Sequence, residues 1–273
     1  MAYPELALAS WRRTRDTLHG YCRLLGAIRG GCSPRQRHWG HISLQVAADG
    51  FTTGLIPTAD TAFELRLSLI EHGLLVVTSG GEQRQLALTG QSQVALLREI
   101  MTELAGLGVR PALDPAGLSE ASPGEWDRDA LGRFWSALIQ ISGVFQEFKG
   151  RQRQETSPVQ FFPHHFDLAL SWYSGRLVPE QDPADEEWSD ELMNFGFSTG
   201  DEGLTDPYFY ATAYPEPEGF VGANLPAEGH WQTQGFSGAV LPYASLVKEQ
   251  HPNLLLEQFL SMAHAAGFSR MVG

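Results

Sequence analysis

Two histidine pairs are placed where they could share one piece of chemistry. His38-Trp39-Gly40-His41 precedes one alternating apolar segment, and Pro163-His164-His165 precedes another. Two neutral imidazoles joined by a carboxylate make a good ligand set for zinc or iron, and Asp167 or Glu216 would complete it. The candidate metal ligands are therefore His38, His41, His165 and Asp167, and a divalent metal is the cofactor this pattern allows. HxxH at a strand entry lacks the specific spacing of HExxH on a helix, and exposed or capping histidines are the commoner outcome. As acid–base chemistry the same residues read as His38 or His41 for a general base, with Glu216 as its acidic partner.

The second group is aromatic. Over Tyr208 to Phe220, alternation puts Tyr208, Tyr210, Thr212 and Tyr214 on one strand face and Phe209 on the other. Phenols on such a face either orient a small amphipathic ligand or pack across strands, and Glu216 follows at the strand end. The expected ligand-binding residues are His19, Trp39, Asp167, Tyr210 and Tyr214; His19 lies beside core Leu18 and either sits at a boundary or points into a pocket. Gly196-Phe197-Ser198-Thr199-Gly200 satisfies GxSxG, but a nucleophile elbow needs a helix immediately after it, and Asp201 to Pro207 reads as a loop. No Walker A sequence or GxGxxG occurs, so neither phosphate loop is supported.

The elements that must position these residues come twice. Leu18, Tyr21, Leu25 and Ile28 recur as Leu138, Ile141, Phe145 and Phe148 at an offset of 120. The offset becomes 124 at Ser33-Pro34 and Ser157-Pro158, and at His41, Ile42, Leu44 and Val46 against His165, Phe166, Leu168 and Leu170. The spacing predicts a helix from Ser10, as N-cap, to a stop at Gly30-Gly31. Strands follow at 41–48, 63–69, 74–78 and 83–88, then a helix over 92–107 bearing Val94, Leu97, Met101 and Leu104. The second copy predicts a helix over 127–150, strands at 166–173, 193–198, 208–214 and 230–240, and a last helix over 245–268 broken near Pro252. The implied fold is α+β: a duplicated unit of helix, four strands and helix, with antiparallel sheets, helices on one face and a pseudo-two-fold axis. The expected organisation is a first repeat at 1–110, a Pro/Gly-rich linker at 111–126 and a second repeat at 127–273, as two domains or one fused domain.

Composition narrows the class. With 273 residues, 42% of them hydrophobic, the chain can bury a substantial core. Early arginines interrupt any secretory signal, and no run approaches membrane-spanning length, so a soluble cytoplasmic protein without a membrane partner is expected. Cys22 and Cys32 lack CxxC spacing, which argues against a disulfide scaffold or a cysteine zinc site. The formal charge is −13, and between Arg176 and Lys248 lie thirteen Asp and Glu residues and no Lys or Arg. Such a surface repels phosphate backbones, so nucleic acid is excluded as a main partner. The dense run Glu180 to Glu191 reads as a solvated loop rather than a cation site.

Several motifs together carry a family resemblance. Thr17-Leu18-His19, His38-Trp39 with His41, Thr52-Thr53 with Pro57, Ser157-Pro158-Val159, Phe166-Asp167-Leu168-Ala169, Phe209-Tyr210-Ala211 with Tyr214-Pro215-Glu216-Pro217, and Leu241-Pro242-Tyr243 resemble the bacterial family of domain of unknown function 5996, in matching order over almost the whole chain. In that family a histidine is frequent at the position of Gln160, and Trp-Gly-Ser at those of Pro163, His164 and His165. This chain departs at both, so the resemblance does not extend to the second histidine pair. The family has no assigned activity, and the resemblance implies a fold rather than a reaction. The expected function is a small-molecule-binding protein or enzyme with a His/Glu pocket between the repeats, with metal dependence open. The alternative is a non-catalytic protein-interaction module that presents aromatic residues to a protein partner.

Overall fold

The three- and four-residue spacing of Leu18, Tyr21, Leu25 and Ile28 produces a helix with one apolar face. In the computed structural model that helix, α1, spans Arg12–Cys32 and buries all four. The structure describes residues 2–59, 61–111 and 124–272, and the expected linker falls largely on 112–123, outside the described residues. Ser10 is not the cap: it ends a 3₁₀ turn, Leu8–Ser10, and the residue preceding α1 is Trp11, with no side-chain cap. Nor do Gly30 and Gly31 stop α1, which runs to Cys32 and gives way to extended Ser33, the residue before Pro34. A proline disfavours helical backbone in the residue before it, which accounts for that end. Gly30 has a packing role instead, since a Cβ there would meet the Ile42 side chain at 2.7 Å.

Two compact units make up the chain: Ala9–Trp135 with Phe161–Phe166, and Met1–Leu8 with Ser136–Gln160 and Asp167–Gly273. In the first unit a sheet is built from β1 (Gln45–Val46), β2 (Gly50–Thr52), β3 (Ile56–Pro57), β4 (Ala62–Ser68), β5 (Gly73–Thr78) and β6 (Gln83–Ala87). Its order is β1-β2-β4-β5-β6, with β3 also paired to β4, and these pairings are antiparallel. Phe63, Leu65 and Leu67 alternate inward on β4, while Glu64 and Arg66 meet at 2.9 Å on the other face. Helix α2 (Gln93–Gly106) is capped by Ser92, whose Oγ accepts the Ala95 amide at 3.3 Å, and its buried face turns to Leu96, Leu97, Ile100 and Leu104, leaving Val94 and Met101 half-buried.

The expected strand at 41–48 shrinks to β1, preceded by a single bridge between Leu44 and Phe161. The cause is local: His38 and Trp39 take φ of 51° and 59°, the Ser43 hydroxyl donates to the Gly40 carbonyl, and Arg29 of α1 donates to the Ser43 carbonyl. The backbone of 41–43 thus serves a turn and a helix rather than a ladder.

The second long helix, α3, covers Arg128–Gly150 and passes from one unit into the other. Leu138, Ile141, Phe145 and Phe148 are all buried. The second sheet contains β7 (Gln160–Phe162), β8 (Asp167–Leu177), β9 (Asp190–Ser198), β10 (Tyr208–Tyr214), β11 (His230–Gln232) and β12 (Gly238–Pro242), in the order β11-β12-β10-β9-β8-β7. Six strands replace the four expected in each sheet. The single strand expected at 230–240 is a hairpin, folded back where Gly235 adopts φ 84°. The break expected near Pro252 is found: α4 is Tyr243–Lys248, and α5 is Pro252–Met271, with the proline in its first turn.

Register divides this sheet into two faces. Leu168, Phe197, Phe209 and Leu241 form one row across β8, β9, β10 and β12, with Leu170, Phe195, Ala211 and Ala239 in the next, and all eight are buried. Helices cover this apolar side: Phe148 meets Phe195, Tyr243 meets Phe197 and Phe209, and His264 and Phe268 meet Trp172. Truncating Phe195 to alanine there would cost about 3–5 kcal/mol. The opposite rows, Asp167-Ser198-Tyr208-Pro242 and Ala169-Gly196-Tyr210-Val240, carry the polar groups.

Candidate functional site

At the start of β8 a carboxylate is driven inside. Phe166 takes φ 58° after its amide donates to the Phe162 carbonyl, and the chain leaves that turn with Asp167 only 6% exposed. Two strands away, Tyr210 reaches it because the intervening residue of the next row is Gly196. The tyrosine ring lies against that glycine, where a Cβ would collide with it, and the phenol donates to Asp167 Oδ2. Burial, then the Asp167 carboxylate, pushes the Tyr210 phenol well above its usual range, so it remains a proton donor at neutral pH.

A second phenol–carboxylate pair stands beside the first. Tyr208, adjacent to Tyr210 on the same strand face with ring centroids 6.2 Å apart, donates to Asp201 Oδ2 at 2.6 Å. Burial and then Asp201 raise its phenol too. Asp201 is held by its own loop, where Oδ1 accepts the amides of Gly203 and Leu204 at 2.7 and 2.8 Å. Between the pairs, Ser198 Oγ accepts the Gly200 amide at 3.1 Å, and the buried Thr199 hydroxyl has no hydrogen-bond partner among the described residues. The GxSxG residues therefore matter without forming an elbow: Gly196 admits the tyrosine ring, and Ser198 sits in the Asp167–Tyr208 row. Ser198, Thr199, Asp201 and Tyr208 were not among the expected site residues. Only strand register brings them together, and the one local sign of it was the alternation of Tyr208 and Tyr210.

Other expected residues lie elsewhere in the second unit or belong to the first. Tyr214 packs edge-on against Trp188, with centroids 5.0 Å apart, and Glu216 is exposed just beyond it. All of these belong to the second unit, whereas His19, His38, Trp39, His41 and His165 belong to the first. His38, Trp39 and His41 share one turn, in which Trp39 stacks on His41 at 5.9 Å. His41 is 6% exposed, and its Nδ1 lies 3.3 Å from both the Gln36 amide and the Gln36 carbonyl. His19 packs on Phe166 at 5.1 Å, and His164 and His165 lie with ring centroids 4.3 Å apart. Lost hydration, then the charges of Arg15 and Arg23, lower the His19 pKa against the opposing pull of the Pro163 and His164 carbonyls. Lost hydration, followed by His165, His19 and Arg23, brings His164 down to about 4. Among the described residues, no group of three or more His, Cys, Asp and Glu side chains is arranged to hold a metal ion. Likewise no described helix is long and apolar enough to cross a membrane.

Comparison with known proteins identifies the lineage. The model of the family of unknown function DUF5996 matches residues 3–271, and the chain belongs to that family. Searches of the curated proteins and of the solved structures each gave no significant match.

Proposed function

We propose that this protein binds a small polar organic molecule on the phenol-bearing face of the β8–β12 strands, through Asp167, Tyr210 and Tyr208. The observation that carries the reading is the buried Asp167 carboxylate, met by the Tyr210 phenol across a side-chain-free Gly196. Burying a carboxylate and two phenols opposes folding unless each is well hydrogen-bonded, and the other sheet face already supplies an apolar core. A polar cluster of this kind serves recognition better than stability. With their protons held, the phenols act as donors and aromatic walls, and the carboxylates accept hydrogen bonds from a ligand amine, amide or hydroxyl. The His41 ring, engaged by the Gln36 backbone, is read as holding its turn.

Duplication of an ancestral unit is part of the same proposal. What supports it is the repeated order of a long helix, a six-stranded antiparallel sheet and a closing helical segment, together with the two apolar helix stripes.

The test is a thermal-shift screen with amines, amides, polyols, sugars and amino acids, followed by calorimetric titration of the hits. Tyr210→Phe and Asp167→Asn are expected to weaken binding about tenfold or more, the loss of one good hydrogen bond to a charged group. His41→Gln and Glu216→Gln should leave it unchanged. Hits that bind both cluster variants normally, or that are lost only in the His41 or Glu216 variants, would overturn the assignment.

A further inference from the structure

In the first unit, basic side chains converge, and only Arg15 among them is answered by an acid among the described residues. Arg15, His19 and Arg23 recur every four residues, which places them in one stripe along α1. His164 and His165 come to this stripe from the turn after β7: Phe166 packs on His19, and the Pro163 ring lies where a Cβ on Gly26 would be. Arg15 is neutralised by Asp16, 2.8 Å away. Among the described residues no carboxylate pairs with Arg23, His164 or His165, and His19 Nε2 is buried without a hydrogen-bond partner. Arg23, His164 and His165 are themselves exposed.

We infer that Arg23, His164, His165 and His19 form a binding site for a small oxyanion of the phosphate class. A guanidinium offers planar paired donors to such an ion, and the imidazole N–H groups donate to its remaining oxygens. The paired rings of His164 and His165, 4.3 Å apart, put two such donors side by side. The depressed basicity of His164 and His19 accords with this arrangement, because it arises after desolvation from mutual cationic repulsion that a bound anion relieves. In a chain of net charge −13, a guanidinium grouped with three imidazoles and paired with no carboxylate among the described residues is a local exception, and an anionic ligand accounts for it.

Inorganic phosphate is the probe, titrated calorimetrically into the full chain near pH 6.5 with chloride held constant. Saturable binding at millimolar concentration or below is expected. Arg23→Gln, and separately the double variant His164→Asn with His165→Asn, should each weaken it about tenfold. Arg12→Gln, an exposed arginine on α1 outside the stripe, should leave it intact, and circular dichroism checks that every variant is folded. Tighter binding of glycerol phosphate than of phosphate assigns an organic phosphate ligand; equal binding assigns the ion itself. Absence of saturable binding, or binding that survives both sets of substitutions, overturns the site.

Discussion

His264 shows how far one side chain can be governed by its neighbours. On α5 its ring is surrounded by Trp172, Phe148, Phe195 and Phe268, with centroids 5.0 to 6.2 Å away, and its buried Nε2 has no hydrogen-bond partner among the described residues. Desolvation in this aromatic cage brings its pKa down to about 4. In the unfolded chain a histidine titrates near 6.5, so below that pH the unfolded state binds the proton and the folded state does not. The contribution of His264 to stability is therefore complete above about pH 6.5 and is lost as pH falls toward 4. His264→Leu removes the proton-binding difference along with an unsatisfied polar atom. Urea unfolding at pH 8 and pH 5 should show the stability difference shifting in the variant's favour by about 1–2 kcal/mol at the lower pH. A difference independent of pH would mean that the ring escapes its cage to be protonated in water.

At the scale of elements, Gly196 links packing on β9 to the chemistry on β10. An alanine there would place its Cβ on the Tyr210 ring, so the phenol must swing away from Asp167. Gly196→Ala should lose about 1–3 kcal/mol in denaturant unfolding and lose ligand affinity as severely as Tyr210→Phe, although neither polar side chain is altered. Unchanged stability and affinity would show that the ring is not held over this glycine. What the sequence made legible at this scale is local periodicity. The stripes of α1 and α3 and the alternation of β4 and β10 depend on neighbours within a few residues, and all are found close to where they were expected. Three features depended on partners distant in the chain or on backbone conformation. Gly30 resembled a stop because glycine signals freedom of φ, yet it is required by Ile42. The 41–48 strand was displaced by a turn whose positive φ values fall on His38 and Trp39, residue types that give little sign of them. The Asp167-Ser198-Tyr208 row exists only through the pairing of three strands, and neither the repeat nor the family motifs encode that register in a readable form.

For the whole molecule, the dominant quantity is charge. The excess of thirteen negative charges equals the number of acidic residues in the stretch between Arg176 and Lys248 that has no Lys or Arg, and all of that stretch lies in the second unit. Local pairs such as Arg176–Glu191 at 3.0 Å answer only a few of these carboxylates, and with the guanidinium more than half exposed to water such a pair is worth little. Self-repulsion therefore opposes the compact state at low ionic strength and fades as the screening length falls from about 10 Å at 0.1 M salt to about 3 Å at 1 M. The melting temperature should rise with sodium chloride, and the same potential should prevent retention on immobilised DNA at physiological salt. Replacing exposed acids in this stretch, Glu187→Lys with Glu202→Lys, should raise low-salt stability by about 0.5–1 kcal/mol and flatten the salt dependence. If stability fell with salt instead, attractive pairs would outweigh the repulsion, and Arg151–Glu257 would be the first to remove. Chloride also competes for the basic stripe on α1, so the salt series run with and without phosphate separates the two effects: screening acts equally in both, whereas competition for Arg23 and its histidines narrows the phosphate-induced shift as chloride rises.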